Sequence, residues 1–233
     1  MGRRRPAAAP AGLRAVGPAR HTAGMLDLIL PLHCGGCGAP SRRWCVACES
    51  ALRVRPEDPH VVTPRVDPGV PVFALGRYTG ARRGAIVAVK EHGRRDLIAP
   101  LARVLTAGVD RLADWGVVGL PLTVVPAPTR RRAARRRGGD PITRIATAAA
   151  AVDSRIRVVP ALRTSALVRD SVGLGITARE RNLAGRVRLT ARPPGEVLLV
   201  DDVLTTGVTA RESVRALGAG GVAVAAVLTL AHV

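Results

Sequence analysis

The chain has 233 residues, with 36 Lys and Arg against 17 Asp and Glu and a formal net charge of +19. A hydrophobic fraction of 47% supplies a sizeable aliphatic core, while aromatics at 2% exclude a single-strand platform built on base stacking. The positive excess points to polyanionic partners (nucleic acid, phosphorylated metabolites or an acidic membrane), unless Arg and Ala are simply enriched throughout. Residues 1–24 hold five arginines, no acids and several Ala-Pro and Gly-Pro steps, so a disordered basic tail is expected, or a start misassigned upstream of Met25. The apolar residues 26–30 imitate a secretory leader, but Asp27 and Pro31 interrupt them.

Four cysteines follow as two C-x-x-C turns, Cys34-Gly-Gly-Cys37 and Cys45-Val-Ala-Cys48. Each turn aims two sulfurs at one cation, and four thiolates satisfy a tetrahedral zinc ion. The short spacer predicts one compact structural site closed by a short hairpin, a zinc ribbon over residues 25–55. Disulfides and a redox pair are the competing readings; the first lacks a secretion signal, and the second leaves the duplication unexplained. Residues 56–71, with Pro56, Pro59, Pro64 and Pro68, read as a linker into a main domain over 72–233.

Within that domain the periodicity predicts a strand over 70–75, a helix from 85 to 90 and a basic turn at 92–95. An amphipathic helix over 97–112 and a buried strand over 122–126 follow. Lys90 and His92 are weak site candidates with no partner visible in the sequence. Residues 130–137 carry six arginines, among them Arg130, Arg131, Arg135, Arg136 and Arg137. A solvated helix start, a pyrophosphate site and a nucleic-acid backbone contact all suit this run. An alanine-rich helix over 142–152 and strands at 158–162 and 187–189 come next. Strands interleaved with helices imply an α/β fold, a mostly parallel sheet covered on both faces.

Residues 197–209, Val-Leu-Leu-Val-Asp-Asp-Val-Leu-Thr-Thr-Gly-Val-Thr, carry the densest signal. Four apolar β-formers lead into paired carboxylates, a hydroxyl- and glycine-rich turn and a helix start, where Thr209 and Glu212 fit a capping box. Open α/β sheets bind ligands at such strand ends, and successive amides at a helix amino-terminus make an anion site. The bland alternative is a buried strand, an acidic turn and a capped helix. The last residues, 216–233, lack charged side chains, but Gly218, Gly220 and Gly221 break them and they fall short of the ~20 residues of a membrane span. They are expected to be a helix end and a terminal strand over 222–230, in a cytoplasmic protein with no membrane span.

All of residues 197–209 match the phosphoribosyl pyrophosphate (PRPP) signature of type I phosphoribosyltransferases. That resemblance implies that Asp201 and Asp202 bind the ribose 2′- and 3′-hydroxyls, while Thr205, Thr206, Gly207 and Thr209 hold the 5′-phosphate. The whole layout resembles the competence-associated ComF family. An apolar segment and four cysteines precede a Lys-x-x-Gly-Arg turn at 90–94, a strand ending in proline, an arginine run and an R-x-x-N segment. The latter, with Arg179, Arg181 and Asn182, is expected in a flap, or on an ordinary helix surface. Where many members have an Asn-Gln pair this chain has Gly138-Gly139-Asp140-Pro141, and Asp170-Ser171 stands where glutamine is usual. The resemblance implies a type I phosphoribosyltransferase-like sheet, structural zinc, magnesium carried with PRPP, and a role with single-stranded DNA in natural transformation. Turnover, if any, would displace pyrophosphate from the anomeric carbon. A nucleobase salvage phosphoribosyltransferase and a non-catalytic nucleic-acid-binding module are the alternatives. Salvage needs a base-recognition hood, for which Phe73, Tyr78, Trp44 and Trp115 are the only aromatics.

Overall fold

In the computed structural model, residues 32–129, 139–165 and 185–233 are described. The expected basic tail, the arginine run at 130–137 and the flap residues Arg179, Arg181 and Asn182 therefore lie outside the described residues.

The elements in chain order are α1 (Val46–Leu52), β1 (His60–Val61), β2 (Val72–Ala74), α2 (Gly80–His92), α3 (Ile98–Asp114) and β3 (Leu122–Pro126). They continue with α4 (Pro141–Val152), β4 (Ile156–Val158), β5 (Leu162–Thr164), β6 (Val187–Leu189), β7 (Val197–Leu204), α5 (Val208–Ala219) and β8 (Val224–His232). Six strands form one sheet in the order β1-β2-β8-β7-β3-β4, parallel throughout except for the edge strand β1. The protein is thus α/β with a mostly parallel sheet, and β5 and β6 pair separately as an antiparallel ribbon.

Side-chain alternation along the central strands divides the core in two. Leu198 and Val200 of β7, with Ala226, Leu228 and Leu230 of β8, point to one face with α2, α3 and α4. Leu199 and Val227 point to the other face, which Ala210, Ala216 and Leu217 of α5 and Leu162 and Val187 of the ribbon cover. Burial on both sides explains why the central strands read as continuous apolar runs.

The strand candidate at 158–162 divides into β4 and β5. Pro160 lacks an amide for a ladder, and Val159 and Ala161 carry the chain from one sheet to the other. The helix expected from 85 begins at Gly80, and the terminal strand reaches His232. The second cysteine pair is not closed by a hairpin: Cys45 caps the amino end of α1, its Sγ accepting the Cys48 amide at 3.4 Å.

The cysteine segment is built into the same core. Leu52 of α1 is buried among α2 and α3 residues, and Trp44 packs against them. Arg94, in the turn after α2, grips Asp96 through Nε and Nη2 at 2.8 and 2.7 Å. The same guanidinium donates to the carbonyls of His33 and Arg43 at 3.0 and 3.1 Å, pinning the two strands of the cysteine knuckle. Gly84 of α2 faces the Gly36 carbonyl so closely that a β-carbon there would overlap it. Gly84→Val is therefore expected to lower unfolding stability by about 1–3 kcal/mol in urea titrations. An unchanged midpoint would show that the knuckle does not dock on α2 in solution.

Candidate functional site: the carboxyl end of the sheet

From β3 the chain runs outward to β4, whereas from β7 it runs the opposite way to β8. The crevice between the carboxyl ends of β3 and β7 is thus the point at which strand order reverses, the favoured ligand position in open α/β sheets. Two loops border it, one after Pro126 and one after Leu204. Pro126 and Val200 are in register, and Ala127 N donates to Val200 O at 2.8 Å, so the first loop starts beside the acids of β7.

Asp201 and Asp202 belong to β7 itself, which extends to Leu204. Asp202 shares the parity of Leu198 and Val200 and so faces α2. There Lys90 Nζ lies 3.1 Å from Oδ1 and 3.0 Å from Oδ2 of Asp202. Burial works against the charge on Lys90, but the Asp202 carboxylate outweighs it and holds the ammonium above its ordinary pKa. Asp201 Oδ1 accepts the Asp202 amide at 2.8 Å. Burial, followed by the neighbouring charge of Asp202, pushes the Asp201 carboxyl up to about 8, the direction expected of an acid crowded by a second one. With Lys90 beside Asp202, the pair presents its carboxyl oxygens to a polyhydroxyl ligand.

Downstream, Thr205 is exposed, Thr206 and Thr209 are half-buried, and Gly207 is buried. Gly207 adopts φ +89° as the residue before α5, and a β-carbon there would collide with the Val66 carbonyl and with Pro64. Val66 N donates to Thr206 O at 2.8 Å, so the proline-rich segment buttresses the loop from behind through its carbonyl. Among the described residues, no acceptor meets the amides of Thr205, Thr206, Gly207, Val208 or Thr209, and α5 has no side-chain cap. Five unspent donors at the positive end of a helix make an anion cradle.

The capping box expected at Thr209 is not formed, because α5 starts two residues earlier than it requires, at Val208 with Gly207 as N-cap. Glu212 turns instead to Gly185, accepting its amide at 2.7 Å, and to Arg215 Nε at 3.1 Å. It thereby anchors the chain at Gly185, where the described residues resume. Asp140, at the far end of the loop after β3, adds its charge to those acting on Asp201. Its oxygens accept the hydroxyls of Thr129 at 2.5 Å and Thr143 at 2.6 Å, bracing the two ends of that loop. A cavity of about 170 Å³ lies beside it, lined in part by Pro128, Thr129, Asp140 and Thr143. Sequence reasoning gave Lys90 no partner, since its acid lies 112 positions away. The Lys-x-x-Gly-Arg spacing proves to have two jobs: Lys90 serves the acids and Arg94 the cysteine knuckle.

The four cysteine sulfurs lie within 4.8 Å of one another, with Cys34 to Cys48 and Cys37 to Cys45 each at 3.7 Å. Four sulfurs at ~2.3 Å from a tetrahedral cation stand ~3.8 Å apart, so the cluster fits such an ion. Burial opposes ionisation of Cys34, but nearby amides overcome it and bring the thiol to about 6. Burial and the other sulfurs drive Cys48 well above the ordinary thiol range. A bound cation removes that conflict by holding all four as thiolates.

No protein-family model matches the chain, and no curated protein matches it. Among the described residues, no helix is long and apolar enough to cross a membrane.

Two outcomes follow from the charges. A folded-state pKa of about 8 against ~3.9 unfolded means that the native protein keeps a proton the unfolded chain has lost. Stability therefore falls as pH rises from ~4 towards 8, and Asp201→Asn should flatten that slope and exceed the wild type in stability at pH 9, measured by urea unfolding. Parallel pH profiles for the two proteins would contradict the assignment. Protein purified under reducing conditions should carry one metal ion per chain, and Cys37→Ser should lose it along with thermal stability, as read by elemental analysis and calorimetry.

Proposed function

We propose that the protein binds PRPP with its magnesium ion at the carboxyl end of β7, as a phosphoribosyltransferase-like protein of the ComF type, with structural zinc on Cys34, Cys37, Cys45 and Cys48. The observation that carries this reading is the juxtaposition of paired acids with five amides that meet no acceptor among the described residues, at the point of strand-order reversal. The amides of Thr205 to Thr209 suit a 5′-phosphate. The oxygens of Asp201 and Asp202 suit the two ribose hydroxyls, and the raised pKa of Asp201 favours a carboxyl that can donate as well as accept. Lys90 then limits repulsion between the acids and the ligand's phosphates.

In this reading the loop after β3, which contains Arg130, Arg131 and Arg135 to Arg137, borders the pyrophosphate side. Magnesium bound on PRPP would supply charge neutralisation there. The net charge of +19 favours a polyanionic partner, and single-stranded DNA is the one the family resemblance implies.

Titration calorimetry with PRPP and Mg²⁺ tests the site. The wild type should bind with a stoichiometry of one, and an Asp201→Asn/Asp202→Asn double variant should bind at least about tenfold more weakly, each lost hydroxyl contact contributing ~1 kcal/mol or more. An absence of heat in the wild type, or equal affinity in the variant, overturns the reading.

A further inference from the structure

A second cleft, of about 370 Å³, opens between the end of α1, the β1 segment and the start of α2. Its floor holds Arg82, which is only 8% exposed. Among the described residues its one hydrogen-bond partner is the Leu230 carbonyl of β8, met by Nη1 at 3.1 Å. Among the described residues, no carboxylate lies within ion-pair distance of it. Asp58 is the nearest acid whose charge reaches Arg82, but its oxygens are occupied by the Arg55 amide at 2.8 Å and His60 Nε2 at 3.1 Å. Burial outweighs the charge of Asp58 and makes the guanidinium easier to deprotonate than usual.

Around this floor stand the exposed Arg53, Arg55 and Arg77, so four guanidinium groups line the cleft against the carboxylates of Glu57 and Asp58. Gly80, Ala81 and Arg82 form the first turn of the thirteen-residue α2; that turn has no acidic side chain, and the helix has no side-chain cap. Among the described residues their amides have no acceptor. A desolvated cation is tolerated when a partner completes its donor set, and a planar guanidinium beside free amides matches a tetrahedral oxyanion.

We propose that this cleft is an oxyanion site that takes a phosphate group between Arg82, the amides of Gly80 and Ala81, and the rim arginines Arg55 and Arg77. It is separate from the β7 loop and does not depend on PRPP binding there. The group it takes is either a free phosphate monoester or a diester of a nucleic-acid backbone, and both present the same oxygens.

Amide NMR titrations of the intact chain at fixed ionic strength separate the possibilities. Inorganic phosphate is one probe, and an oligonucleotide of single-stranded DNA without terminal phosphates is the other. Saturable shifts at Gly80 and Ala81 with inorganic phosphate alone support a monoester site, and shifts with the oligonucleotide support a backbone site. Arg82→Gln risks the fold through Leu230, so the exposed pair Arg55→Gln/Arg77→Gln carries the test. This double variant should weaken the shifts at Gly80 and Ala81 by about tenfold while leaving those at Thr205 to Thr209 unchanged. No saturable shift at Gly80 and Ala81 with either probe, or shifts that survive the double variant, overturns the proposal. The response at Thr205 to Thr209 reports separately on the PRPP site.

Discussion

Two adjacent carboxylates at the end of a buried strand cannot both ionise without a nearby cation, and the way this chain resolves that conflict organises its functional end. Lys90 pairs with Asp202 at 3.0 Å, and burial together with the charge of Asp202 raises the pKa of Asp201. For the lysine to reach its acid, α2 has to lie against the face of β7 that carries Leu198 and Val200. The turn that ends α2 then delivers Arg94 to the cysteine knuckle. The acids, the helix and the knuckle are therefore linked parts of one arrangement, although they lie far apart in the chain.

The loop after β7 shows a complementary economy of contacts. It is fixed from behind through carbonyl oxygens: Thr206 accepts the Val66 amide, and Gly207 accepts the Arg211 amide within α5. Among the described residues its donors meet no acceptor, and its backbone is held by Pro64 and Val66 at the glycine. A preorganised anion cradle needs this division, because donors consumed by the protein have nothing left for a ligand.

Local features were legible in the sequence because their information is contiguous. The strand, turn and helix order at 197–209 and the clustering of the doubled C-x-x-C follow from spacing alone, and the strands at 122–126 and 187–189 follow from apolar runs. What the sequence hid depends on distant pairing. Lys90 meets an acid 112 positions away, Arg94 reaches back 61 residues to His33, and Glu212 leaves its expected cap for Gly185. Thr209 and Glu212 have the right types for a capping box, yet the positive φ of Gly207 lets the helix begin earlier. The division of 158–162 into two strands is dictated by Pro160, a local signal outweighed by the apolar residues around it.

The most direct measurement is a crystal structure of the protein soaked with PRPP and Mg²⁺. The 5′-phosphate should lie against the amides of Thr205 to Thr209 and the ribose hydroxyls on Asp201 and Asp202, with the Lys90 contact to Asp202 kept or exchanged for the ligand. A ligand seated elsewhere, or an unoccupied cradle with the acids still paired only to Lys90 at saturating PRPP, would contradict it.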